Sequence, residues 1–130
     1  MALSLNKVLL VGNVGKDPDV RYIDANTVVA TFTLATNERG YTTTSGKEVP
    51  ERTEWHNIVT WGNVAKRVES VLRKGCKVYI EGKIRTRTYE DKTGQIHYVT
   101  EIMADKLDIF AFPPNTTPPT ANTPTPPAGE

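Results

Sequence analysis

Only one stretch of the chain repeats its apolar residues at the helical period, and strand-like segments flank it on both sides. In Asn63–Lys74 (NVAKRVESVLRK), Val64, Ala65, Val68, Val71 and Leu72 fall at i, i+1, i+4, i+7 and i+8, one stripe of a helix. Asn63 is placed to cap its start, and Gly75 supplies a left-handed residue just past its end. A single short helix must bury its stripe against another layer, so the strands around it have to supply the core.

Upstream, Asn6–Val14 (NKVLLVGNV) is aliphatic and β-branched, and it stops at the turn signal Gly15-Lys16-Asp17-Pro18. Val20–Tyr22 is a short extended piece. In Val28–Ala35, Val28, Ala30, Phe32 and Leu34 face one way, and Val29, Thr31 and Thr33 the other. A polar loop, Asn37–Arg52, leads to the strand Thr53–Trp61. Downstream, Lys77–Thr88 and Ile96–Leu107 read as strands joined by a hairpin turn at Glu90–Gly94. Three strands, one short helix and two strands predict an all-β fold with one short helix: the OB-fold, a five-stranded Greek-key barrel whose helix plugs one end. The domain should span residues 1–112. From Pro113 on, seven of the nine prolines crowd among Thr, Ala and Asn, which predicts an extended tail over 113–130.

Composition removes several classes of function. No apolar run approaches the ~20 residues that cross a bilayer, so no membrane association is expected. The N-terminal residues lack the pattern of a secretion signal, and the lone Cys76 suits a reducing, cytoplasmic setting. Gly12-Asn13-Val14-Gly15-Lys16 falls short of a phosphate-binding loop: two residues separate its glycines where four are needed, and Asp17 follows the lysine. With His56, His97 and one cysteine, no Cys/His zinc spacing can be assembled. Ser4, Ser45 and Ser70 sit in no nucleophile motif, and Glu90-Asp91 serves a turn. Neither an enzyme nor a cofactor is expected.

Charge is more informative in its distribution than in its total of +1. Between Asn63 and Arg87 stand eight basic residues against two acids, Glu69 and Glu81. Such a surplus either draws a polyanion or simply solvates a surface. Aromatics accompany it. Tyr41 lies in the polar loop, and Tyr89 ends the run Lys83-Ile84-Arg85-Thr86-Arg87-Thr88; both are expected to be exposed. Trp55 and Trp61 share a face of a regular strand, which can be core or surface. Phe32 and Tyr79 are expected to pack. Rings beside cations on strands and loops suit single-stranded nucleic acid, whose bases stack while the cations follow the phosphates.

Several ordered motifs then carry a resemblance: Asn6–Tyr22, Leu34-Ala35-Thr36, Thr53-Glu54-Trp55-His56, Leu72–Gly75, Val78–Gly82 and Ile84–Arg87. Over about residues 5–107 the chain resembles the bacterial-type single-stranded DNA-binding proteins, a family that includes mitochondrial relatives. The resemblance implies sequence-independent binding and protection of single-stranded DNA in replication, recombination and repair, by a homotetramer of OB-folds. It implies stacking roles for Tyr41, Trp55, Trp61 and Tyr89, phosphate contacts for Lys7, Arg73, Lys74, Arg85 and Arg87, and a subunit contact for His56. A bacterial, cytoplasmic setting is expected over a mitochondrial one.

The departures are specific. Tyr41 and Tyr89 stand where many members have Trp, and Trp61 where Phe is common, so stacking survives. Asn57 and Asn63 replace residues that are basic in some members. The family's acidic, Phe-ended tip, which recruits DNA-processing proteins, is absent from Pro127-Ala128-Gly129-Glu130. Either the sequence is cut short or this tail does not recruit in the usual way. Two other classes share the platform: a structural adaptor with little affinity for nucleic acid, and an RNA-binding OB module.

Overall fold

The computed structural model describes residues 3–113. The expected Pro-rich tail therefore lies, from residue 114 on, outside the described residues. The elements are β1 (Val8–Val14), β2 (Asp19–Asp24), β3 (Thr27–Glu38), β4 (Tyr41–Thr42), β5 (Glu48–Val49), β6 (Arg52–Trp61), α1 (Gly62–Val71), β7 (Lys77–Glu90) and β8 (Ile96–Ala111).

The five long strands are the expected ones: β1, β3, β6, β7 and β8. Their pairing runs β1–β7–β8–β6–β3 and returns from β3 to β1. Two seams in this ring are short. β1 meets β3 only at Asn13↔Ala35 and Val14↔Leu34. β6 meets β8, in parallel, only at Ile58↔Ile102 and Val59↔Met103. β2 adds a sixth strand along β3. The polar loop carries a small ribbon of its own, β4 against β5.

Period-two patterning builds the core. Val28, Ala30, Phe32 and Leu34 of β3 are buried, and Val78 and Ile80 of β7 face them with Ile58, Ile102, Ala104 and Leu107. Tertiary burial of these side chains drives the fold, each contributing about 1.5–3 kcal/mol for the larger ones. The helix contributes Ala65 and Val68, and Leu72 follows it, fully buried.

The helix ends differ from the sequence reading. It starts at Gly62 after an extended Trp61, with no side-chain cap, so Asn63 lies inside its first turn. It stops at Val71: Leu72 is extended with ψ 135°, its N–H still donates to the Val68 carbonyl at 3.0 Å, and its side chain is fully buried. Gly75 does adopt positive φ, +91°, but in a later turn where the Cys76 N–H donates to the Arg73 carbonyl at 3.1 Å. Its own N–H donates to the Val14 carbonyl at 2.8 Å, tying that turn to β1.

Past a bulge at Glu81/Gly82 and the last barrel pair, Ile84↔Ile102, β7 and β8 leave the barrel as a two-stranded arm, paired out to Glu90↔Ile96. Both strands run further than the sequence pattern suggests, because cross-strand pairing sustains them where core burial ends. No described helix is long and apolar enough to cross a membrane.

Candidate nucleic-acid interface

The outward-facing residues of β3 and β6 share one face by register. Val29 stands opposite Trp61, Thr31 opposite Val59, Thr33 opposite Asn57 and Ala35 opposite Trp55. β2 extends this face with Asp19 opposite Thr31 and Arg21 opposite Val29. The two tryptophans lie at its ends, about 20 Å apart along a strand rising ~3.3 Å per residue. Between this face and the arm runs a groove of about 430 Å³ lined by Lys16, Asp19, Arg21, Thr31, Thr33, Asn57, Val59, Arg87, Val99 and Glu101.

All the candidate rings are exposed: Tyr41 62%, Trp55 58%, Trp61 47% and Tyr89 47%. The open question about the Trp55–Trp61 face is thus answered as surface. Trp55 rests on a glycine. A Cβ at Gly15 would lie 2.4 Å from the Trp55 Cζ3 atom and 2.7 Å from the Thr33 hydroxyl, so only a residue without a side chain lets the indole settle there. Tyr41 is carried on the β4–β5 ribbon. Phe32 is core, as expected. Tyr79 is half-buried on the outward side of β7, stacked on Phe110 with ring centroids 6.4 Å apart, and its hydroxyl donates to Glu81.

The cations divide between places. Arg85 and Arg87 share one face of the arm with Tyr89, and Arg87 reaches the groove. Arg87 is paired with Glu101 through two hydrogen bonds, and that carboxylate raises its pKa further. Lys74 donates its backbone N–H to Asp17, which sets it beside the turn that carries Lys16. Arg73 donates to the carbonyls of Leu72 and Glu69, and so satisfies the end of α1. Lys7 is elsewhere: it pairs with Glu81 at 3.4 Å, on the outward side of β7 rather than in the groove. The Tyr79 hydroxyl chiefly, and then Lys7, hold the Glu81 carboxyl below the usual carboxylate range. His56 is half-buried and hydrogen-bonded to the Thr36 hydroxyl at 2.9 Å.

Sequence reasoning missed Lys16, Arg21, Thr31 and Thr33 as groove residues. Lys16 drew notice only within the failed phosphate-loop pattern. Arg21 carried a signal, since it alternates with Asp19 in an extended piece, but only the β2–β3 register turns both toward the groove. Among the described residues no group of three or more His, Cys, Asp or Glu is placed to hold a metal ion.

A second exposed face lies across the barrel's outer side. Leu9 and Val11 of β1 stand opposite Glu81 and Tyr79, with Phe110 beside them, leaving apolar side chains in solvent.

Comparison with known proteins is consistent in all its parts. Residues 5–110 match the model of the single-strand binding protein family. A single-stranded DNA-binding protein of Bacteroides thetaiotaomicron is 52% identical over 109 residues, covering 84% of this chain and 68% of that one. A solved structure described as the Plasmodium falciparum SSB complex with ssDNA superposes with a TM-score of 0.78 at 34% identity, covering 85% of this chain and 99% of that one.

Proposed function

Because this chain belongs to the single-strand binding protein family, we propose that it binds single-stranded DNA without regard to sequence and protects it during replication, recombination and repair. The observation that carries this reading is a groove with cations on both walls, Lys16 and Arg21 on one side and Arg87 on the other, between a strand face that exposes Trp55 and Trp61 and an arm that exposes Tyr89. Tyr41, Trp55, Trp61 and Tyr89 stack bases, at about 1–3 kcal/mol each. Arg85 and Arg87 hold phosphates along the arm, Arg73 and Lys74 hold the strand beside the turn that carries Lys16, and Lys7, on the outward side of β7, meets it only where it wraps beyond the groove. Such a protein works by occupancy, with no catalytic step, in the cytoplasm where its DNA lies.

The same reading includes assembly into a homotetramer. Its support is the exposed apolar face of Leu9, Val11 and Phe110, which a monomer would leave in water. His56 sits at a subunit contact in this account.

The test is a titration with oligo-dT, matched RNA and duplex DNA at several salt concentrations, with sizing in solution. The expected result is preference for oligo-dT, log affinity falling with log salt by ~0.7 per phosphate neutralised, and a tetramer that stays intact when loaded. Equal affinity for duplex and single strand would overturn the reading.

A further inference from the structure

We propose that His97 is a positioning residue for Tyr89, locked in place by Asp91, so that the arm presents a pre-set stacking surface at its tip. The inference deepens the reading of Tyr89 as a base-stacking ring and rests on it.

Tyr89 and His97 are directly opposite each other in the β7–β8 register. Their rings stack with centroids 5.1 Å apart and planes within 20°. One face of the phenol ring is therefore covered by imidazole, and the side chain still leaves 47% of its surface in solvent. A nucleobase can add to the open face as the next member of the stack.

His97 is itself held. Its Nε2 lies 2.6 Å from Oδ2 of Asp91. The other oxygen of Asp91 accepts the Thr93 N–H at 2.9 Å, the Thr93 hydroxyl at 2.7 Å and the Gln95 N–H at 2.9 Å. With both oxygens engaged, the carboxylate cannot rotate away from the imidazole. The turn beneath it is closed by the Asp91 N–H to the Gln95 carbonyl, at 2.9 Å. A hairpin tip is ordinarily the most mobile part of an arm. Here a chain of contacts runs from the turn backbone through Asp91 and His97 to the Tyr89 ring. Binding then loses less side-chain freedom than it would with an unsupported ring.

The experiment is a double-mutant cycle on oligo-dT affinity in the full chain: Tyr89→Ala, His97→Ala and both together, with His97→Phe as a fourth variant. His97→Ala is expected to weaken binding roughly two- to tenfold, the range of one stacked aromatic pair. It is expected to have no further effect once Tyr89 is alanine. His97→Phe, which keeps the stack and drops the hydrogen bond, is expected to recover only part of the loss; full recovery would show that stacking alone suffices and would overturn the Asp91 lock. If His97→Ala weakens binding equally with and without Tyr89, the histidine touches DNA itself and the positioning role is wrong. If it changes nothing while Tyr89→Ala does weaken binding, the inference fails and the stacking role of Tyr89 stands. If Tyr89→Ala is silent, both fail together. Should His97→Ala melt early, Asp91→Asn, which weakens the hold on the imidazole, is expected to reduce oligo-dT affinity only while Tyr89 is present; wild-type affinity in that variant would overturn the lock.

Discussion

Arg87 meets Glu101 fork to fork across the arm: its Nε and a terminal nitrogen donate to the two carboxylate oxygens at 3.1 and 3.2 Å. The carboxylate occupies the donors that a DNA phosphate would need, and Glu101 is the more buried of the two, 13% exposed against 54%. Free protein thus holds its groove arginine in a ready orientation, already neutralised. Glu101→Gln is expected to raise oligo-dT affinity up to about fivefold, the scale of a partly exposed ion pair. It should also steepen the salt dependence by up to ~0.7 in log–log slope. Unchanged or weaker binding, read by titration at two salt concentrations, would show that the carboxylate assists the arginine instead of competing with DNA.

Trp55 is the more exposed of the two indoles on the β3–β6 face, 58% against 47%, and the fold does not use it as core. Trp55→Ala is therefore expected to cost about 1–3 kcal/mol of oligo-dT binding and to leave the melting temperature nearly unchanged. The paired measurement matters, because a matching fall in melting temperature would mean the indole is structural.

Gly15 tests the same ring without touching it. Gly15→Ala puts a methyl where the indole edge now sits, 2.4 Å from Cζ3, so the ring must lift from its seat. The expected result is weaker binding and reduced quenching of tryptophan fluorescence by oligo-dT. Wild-type behaviour in both would mean that the posture of Trp55 is unimportant.

Acid should loosen the arm tip in a defined way. The Thr93 hydroxyl, His97 and the Gln95 N–H hold the Asp91 carboxyl well below the usual carboxylate range. A depressed carboxylate stabilises the fold above its unfolded pKa, ~3.9, and that contribution is lost as pH falls through the lower folded value. The Thr93 and Gln95 amide resonances should hold their folded positions from neutral pH to below pH ~4 and shift only in stronger acid. In Asp91→Asn that acid transition should vanish.

Leu72 closes one end of the barrel and is fully buried. Leu72→Ala is expected to cost about 2–5 kcal/mol of stability, measured by denaturant unfolding. Oligo-dT affinity below the new melting point should be retained, since no groove residue changes.

Much of this was legible in the sequence wherever the information was local. The alternation in Val28–Ala35 put Phe32 and Leu34 inside, and the helical stripe found Ala65 and Val68. The end of the helix was not legible, because Leu72 continues the apolar stripe of α1 and is buried with it, yet its backbone is already extended. Exposure of Trp55 and Trp61 could not be chosen from a period of two, since both faces of β6 carry apolar residues near its end. The Arg87–Glu101 pair joins residues fourteen apart, and the Lys16–Arg21 wall depends on where β2 docks against β3. Such placements follow from register across strands, which residue pattern alone does not set.

The parallel seam at Ile58↔Ile102 and Val59↔Met103 is followed at once by divergence of the two strands, and the groove opens there. The gap therefore has peptide edges on both rims, from β6 toward Asn57 and from β8 toward Glu101. Beyond the seam the amides of β6 and β8 no longer pair with one another, so their N–H and C=O groups line the rims beside the varied side chains. Splaying those rims further would break only a short ladder, so few hydrogen bonds set the width of the opening.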